Sequence, residues 1–323
     1  MSGEQDPQYA PLTGSQARAA LGPVSDIAHL GTRLAYEWPT HPASPYFIER
    51  LAYARARTIA MEAGDPIDDA VNYGRLFEAM PEGSRLSADA GAAMHFEAHY
   101  REAIDACSAA APFQAQKPLS GALRAQGLKT PVPIRAMERA RACRRKAFTK
   151  EEAAIEAQRV LSSAGLFPLQ PLPILFEIPR LRADGDWMVG ALRRFRDGLA
   201  EAIDLLDAAT AFLARAEEVL GKPTAKPKAA WRALPVLAGL PAVRSNGLAS
   251  RLSISQKAAI AALEELETLG LAREIRGLKS WKVWAANDPV LGLGRTEPQQ
   301  PDPMMSFASG LSVIPKEPRR IAS

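Results

Sequence analysis

The chain has only two cysteines, Cys107 and Cys143, in 323 residues. That scarcity excludes a disulfide-stapled scaffold and fits a reducing compartment. Aromatic residues make up 7% of the sequence. With alanine abundant, this favours closely packed helices over a β-rich fold. No apolar run approaches the roughly 20 residues that a membrane-crossing helix needs. The first residues, MSGEQDPQYAPLTG, are polar and acidic and do not read as a secretory leader. There are four histidines, no glycine-rich phosphate loop, no internal repeat, and no carboxylate spacing that marks an acid/base couple. These absences predict a cytoplasmic protein with no membrane span, no cofactor, no metal and no catalytic residue.

What is present is a helix-rich pattern with 47% hydrophobic residues, enough for a sizeable core. The expected fold is mainly α: a helical N-terminal domain, then a winged helix-turn-helix with a small β-hairpin. The expected organisation is a disordered tail over 1–20, a helical domain over 21–220, a linker over 221–228, a winged helix-turn-helix over 229–286 and a second disordered tail over 287–323. Within the helical domain, periodicity predicts helices from Val24 to Glu37 and from Ile67 to Met80. Ser44 is expected to cap a helix stopped by Gly64, and Ser87 one that runs to Ala109 with Ala93, Phe96, Tyr100, Ile104 and Cys107 buried. IRAMERARACRRKAF reads as a basic helix. Thr149 and Glu152 form a capping box for the next, which Gly165 ends. The proline-punctuated LFPLQPLPILFEIPR must be extended. Asp186 to Leu220 then reads as one long helix.

The most specific stretch is SNGLASRLSISQKAAIAALEELETLGLAREIRGLKSWKVW, from Ser245 to Trp284. Ser245 is a candidate cap for a short helix with Leu248 and Leu252 inward. Ser255 is a candidate cap for a second helix carrying Ala259, Ile260, Leu263, Leu266 and Leu269 at helical spacing. Gly270 stands where a left-handed stop is cheap. Leu271 to Arg276 predicts a strand, Gly277 a turn, and Ser280 to Trp284 a returning strand. Helix, turn, helix, stop and hairpin in that order is the pattern of a winged helix-turn-helix, whose second helix enters the DNA major groove.

That geometry leaves Gln256, Lys257 and Ala261 on the outer face of the second helix. Gln pairs with adenine edges, and Lys with guanine or phosphate. The helix starts at Ser245 and Ser255 offer hydroxyls and N–H groups to phosphates. Arg276 and Lys279 fall on the wing, and Arg244, Arg251, Lys226 and Lys228 are further phosphate candidates. Glu264, Glu265 and Glu267 would turn the far end of the helix away from DNA. Residues 221–286 hold eleven basic and four acidic side chains, a net of +7, whereas the whole chain carries +4. The positive field is therefore local, as phosphate binding requires.

Three other groups invite chemistry. His95 and His99, four apart on a helix, with Glu102 one turn on, have the spacing of metal ligands; this would support an enzyme with an auxiliary winged helix. Arg139, Arg141, Arg144, Arg145 and Lys146 form a basic cluster. Cys143 sits among those arginines but has no partner His or Cys in sequence. A winged helix serving as a protein-interaction adaptor is the remaining alternative.

The stretch LPVLAGLPAVRSNGLASRLSISQKAAIAALEELETLGLAREIRG resembles the C-terminal part of a bacterial, rhizobial-type family. Its members join a helical domain of unknown function to a helix-turn-helix DNA-binding domain. The resemblance spans most of the chain, from Ser44 to Trp284, and implies DNA binding. ARTIAMEAGDPIDDAVNYGRL is similar to the helix preceding the catalytic core of Fic-domain proteins. The Fic His-Pro-Phe motif and its Gly-Asn-Gly-Arg loop are absent from the sequence, and HPASPY at His41 shares only two letters. The nucleotide-transfer chemistry does not carry over. The expected function is that of a sequence-specific DNA-binding protein, a transcriptional regulator acting on double-stranded DNA, with the helical domain serving for homodimerisation or sensing.

Overall fold

Thr13 opens the first helix by accepting from Gln16 N, while Gln16 Oε1 accepts from Thr13 N at 3.0 Å. This capping box starts α1 at Gly14–Glu37, ten residues ahead of the expected Val24; Pro23 is absorbed inside the helix. The computed structural model describes residues 13–65, 90–113, 130–146, 148–174, 187–278 and 281–292. The expected helix at Ile67 to Met80 and the Ser87 cap lie outside these residues, as does most of both terminal tails; residues 14–20, expected in the first tail, belong to α1.

A single 3-10 turn at Trp38–Thr40 leads into α2, Ser44–Ala63. Ser44 is the first helical residue here and Ala43 occupies the cap position without a side-chain bond, so the expected Ser44 cap is not formed. Gly64 does end α2, at φ 78°. The next helices are α3 (Ala90–Ala109), α4 (Val132–Arg145), α5 (Lys150–Ser163) and the long α6 (Trp187–Leu220). The Thr149–Glu152 capping box closes in both directions. α1 packs along α6, α4 on α5, and α2 on α3.

The proline-rich passage after α5 is non-helical through Ile174, as the prolines require. It is not a surface strap. Leu172 and Ile174 are buried, and the buried Gln158 amide holds Leu172 by both its N–H (2.9 Å) and its carbonyl (2.6 Å). A buried backbone needs such partners.

After an exposed connection over 221–228, the chain forms α7 (Ala229–Gly239), β1 (Val243–Arg244), α8 (Ser245–Leu252), α9 (Gln256–Thr268), β2 (Ala272–Leu278) and β3 (Trp281–Ala286). The sheet is antiparallel in the order β1-β3-β2. Among the described residues the protein is thus mainly helical, with one small three-stranded sheet.

Strand β2 runs through Gly277, which pairs with Lys282. The expected turn is therefore not at Gly277, and residues 279–280 lie outside the described residues. A register shift between Glu274 and Arg276 leaves Ile275 as the extra residue of a bulge.

Side chains alternate along β3, but neither face is free. Trp284 and Ala286 join the core built by α7, α8 and α9. Val283 and Ala285 join a second core with Ala52, Tyr53 and Ala56 of α2 and Phe96, Tyr100 and Ala103 of α3. The hairpin is thereby sandwiched between the C-terminal helices and the helical body.

Arg50 of α2 reinforces that contact. It is 4% exposed and donates to the carbonyls of Leu291 (2.6 Å), Leu237 (3.1 Å) and Leu240. Burial pulls its guanidinium down to about 9, against the pull of Asp288. It still carries its charge at neutral pH.

Candidate nucleic-acid interface

The turn between α8 and α9 is set by two residues. Ser253 adopts the left-handed conformation at φ 52°, and Ile254 tucks a half-buried side chain against the core. The chain then enters α9 with Ser255 extended, its hydroxyl accepting from Ala258 N at 3.2 Å. Ser255 is the expected cap. Gly270, at φ 70°, ends the element after Leu269.

Ser245 behaves differently. Arg244 holds the cap position, without a side-chain bond, and Ser245 is already helical. The reason is β1: the ladder to Val283 holds Arg244 extended in the cap position, so the helix begins at Ser245, one residue earlier than a serine cap would need.

Helix α9 buries Ala259, Ala262, Leu263 and Leu266 and leaves Ser255, Gln256, Lys257 and Ala261 exposed. Among the described residues no carboxylate pairs with Lys257. These four residues therefore share the solvent-facing side of the capped end, where helix N–H groups and the dipole favour an anion.

The acidic far end of α9 is partly neutralised within the molecule. Lys282 lies 3.9 Å from Glu264 and 3.4 Å from Glu274 and stacks over the Trp284 ring. The Trp284 indole N–H donates to Glu267 at 3.1 Å. Glu267 thus serves as a structural acceptor.

The other basic candidates divide. Lys226 and Lys228 are exposed in the connection before α7. Arg251 is held at 2.9 Å by Glu49 of α2, which ties α8 to the body and neutralises its charge. Arg244 is half-buried in β1. Arg276 has its backbone in β2, while its side chain and all of Lys279 lie outside the described residues.

The competing groups disperse. His95 is largely exposed with Nδ1 3.8 Å from Asp65, and Glu102 turns its carboxyl to Glu151, so the three expected ligands do not converge. Among the described residues no group of three metal-ligating side chains is assembled. His99 is held below its usual range by burial and by the charges of Arg55 and Lys150.

In the basic helix, Arg139 pairs with Glu156 at 3.0 Å, Arg141 stacks 4.2 Å over Trp187, and buried Arg144 donates to the Phe148 carbonyl at 2.8 Å. The Cys143 thiol is buried and pushed up by that burial, which keeps it protonated and inert.

One arrangement was invisible in sequence. Glu102 of α3 and Glu151 of α5 are brought face to face across a helix interface, although 49 positions apart in the chain. No spacing rule finds such a pair.

No family model matches the chain, and no curated protein matches it.

Proposed function

We propose that this chain is a sequence-specific DNA-binding protein that acts as a transcriptional regulator, with 229–286 working as a winged helix-turn-helix. The observation that carries the reading is the exposed, serine-capped start of α9, where Gln256, Lys257 and Ala261 face solvent within a segment of net +7. A three-residue turn separates α8 from α9, and the hairpin β2–β3 follows directly. This is the element order that places a second helix in the major groove.

In this reading the basic rim neutralises phosphates and the start of α9 reads bases. Lys226 and Lys228, on the exposed connection, supply sequence-independent attraction. Gln256 is placed to accept from and donate to an adenine edge, and Lys257 to donate to guanine or to a phosphate. The helical body serves homodimerisation or sensing.

The decisive experiment is a gel shift against genomic fragments selected by the purified protein. Lys257→Glu is expected to lower affinity by about tenfold or more, since it removes a cation and adds an anion at the groove. Undiminished binding by a folded Lys257→Glu protein would exclude α9 as the reading helix.

A further inference from the structure

A cavity of about 500 Å³ opens between α3 and α5, well away in sequence from the candidate DNA interface. Glu151 of α5, which lines it, is held in a buried ion pair by Arg55 of α2, at 4% and 6% side-chain exposure. Glu151 Oε2 is buried and accepts from no N–H group among the described residues. The other group turned to Glu151 is the carboxyl of Glu102, which stands exposed at the rim. Two carboxyls hydrogen-bond each other only while one of them holds a proton. That shared bond is the main reason Glu102 is pushed up to about 7, with burial and the Glu151 charge adding to it. Burial alone would raise Glu151, but the Glu102 bond and the Arg55 charge hold it below its usual range.

The remaining charges around the pair are accounted for. On α5, Glu152 accepts from Thr149 N in the capping box, and Glu156 is held by Arg139 and Arg159. Lys150 and His99 lie within electrostatic reach of the pair. Asp105 lines the cavity on the α3 side. The apolar part of the lining is Ala106, Ala109, Ala110, Phe148 and Ile155. The cavity is molecule-sized, and no set of three metal-ligating side chains is assembled among the described residues.

We infer that the α3–α5 cavity binds a small organic cation, a primary ammonium on an apolar body, whose charge is met by the Glu102 and Glu151 carboxylates of its lining. The apolar body lies against Phe148 and the alanines; the ammonium donates to both carboxylates and satisfies the orphaned Glu151 oxygen. When the pair is protonated, the displaced proton goes to the buffer, one per ligand bound. The inference stands independently of the DNA-binding reading.

The test is calorimetric titration of the full chain with phenethylamine and with cadaverine at pH 6 and pH 8, in buffers of different ionisation enthalpy. A competing proton leaving at about 7 makes amine affinity rise about tenfold between these pH values. About one proton is released per amine at pH 6 and almost none at pH 8. Glu102→Gln places a neutral donor opposite Glu151, and is expected to abolish proton release and weaken binding at least tenfold. Ala109→Trp, which fills the cavity from the α3 side, is expected to weaken binding while leaving the fold intact by circular dichroism. The neutral 2-phenylethanol is expected not to bind. Absence of saturable binding by both amines would overturn the inference. So would pH-independent affinity, equal affinity in both variants, or the same proton release on adding magnesium chloride alone.

Discussion

Ser245 and Ser255 show how far a single residue type carries information. Both precede an apolar-periodic stretch, and both satisfy the preference for a short hydroxyl at a helix start. Only Ser255 closes the bond, to Ala258 N at 3.2 Å. At Ser245 the β1 ladder claims the preceding backbone, so no cap forms. Ser255→Ala is therefore expected to cost about 1 kcal/mol in urea unfolding, whereas Ser245→Ala stays within about 0.5 kcal/mol. Equal losses would mean that both serines cap in solution. The same contrast runs through the charges. Lys257 and Arg251 are equivalent in sequence, yet one faces solvent and the other is consumed by Glu49, a partner 202 positions away.

At the scale of elements, long periodic helices were legible. The inner stripe of α6, from Met188 through Leu206, is buried as its spacing requires, with Phe212 completing it. Three elements were not legible. Helix α7 is hidden by Pro235, which normally stops a helix but here lies inside one. Strand β1 has only two residues, too short to show alternation. The end of β2 passed through Gly277, because cross-strand pairing with Lys282 outweighs a local turn preference. The hairpin end is also where a second prediction about DNA belongs. Arg276→Ala combined with Lys279→Ala is expected to weaken binding to all sequences alike. It should also reduce the slope of log affinity against log salt by about 2. An unchanged slope in filter-binding titrations would remove the wing from the contact surface.

At the scale of the molecule, the C-terminal elements do not stand apart from the helical body. The described residues fall within a single compact unit. Val283 and Ala285 share a core with α2 and α3, and Arg50 binds three carbonyls of the C-terminal elements. Arg50→Met keeps the apolar stem but strands those carbonyls. It is expected to destabilise the whole chain by about 3 kcal/mol in one cooperative transition, measured by urea unfolding followed at tryptophan and by circular dichroism. If the C-terminal elements alone melt early, the two regions are energetically separable and the bridge is weak. Helix α2 also carries Arg55, which holds Glu151 of the α3–α5 cavity. One helix thus holds both a carboxylate of the cavity lining and the elements proposed to meet DNA.

The sequence by itself determined the helical class, the capped start and glycine stop of α9, the exposed basic connection, and the non-helical passage after α5. Each depends on neighbours a few residues apart, whose spacing and backbone preferences act locally. The tertiary structure alone decided which charges stay available. It neutralised Arg251 with Glu49, buried both faces of β3, turned Glu267 into a partner for Trp284, and set Glu102 against Glu151. Those outcomes rest on contacts between residues far apart in the chain, where Coulomb energy and burial depend on distances that no local pattern encodes.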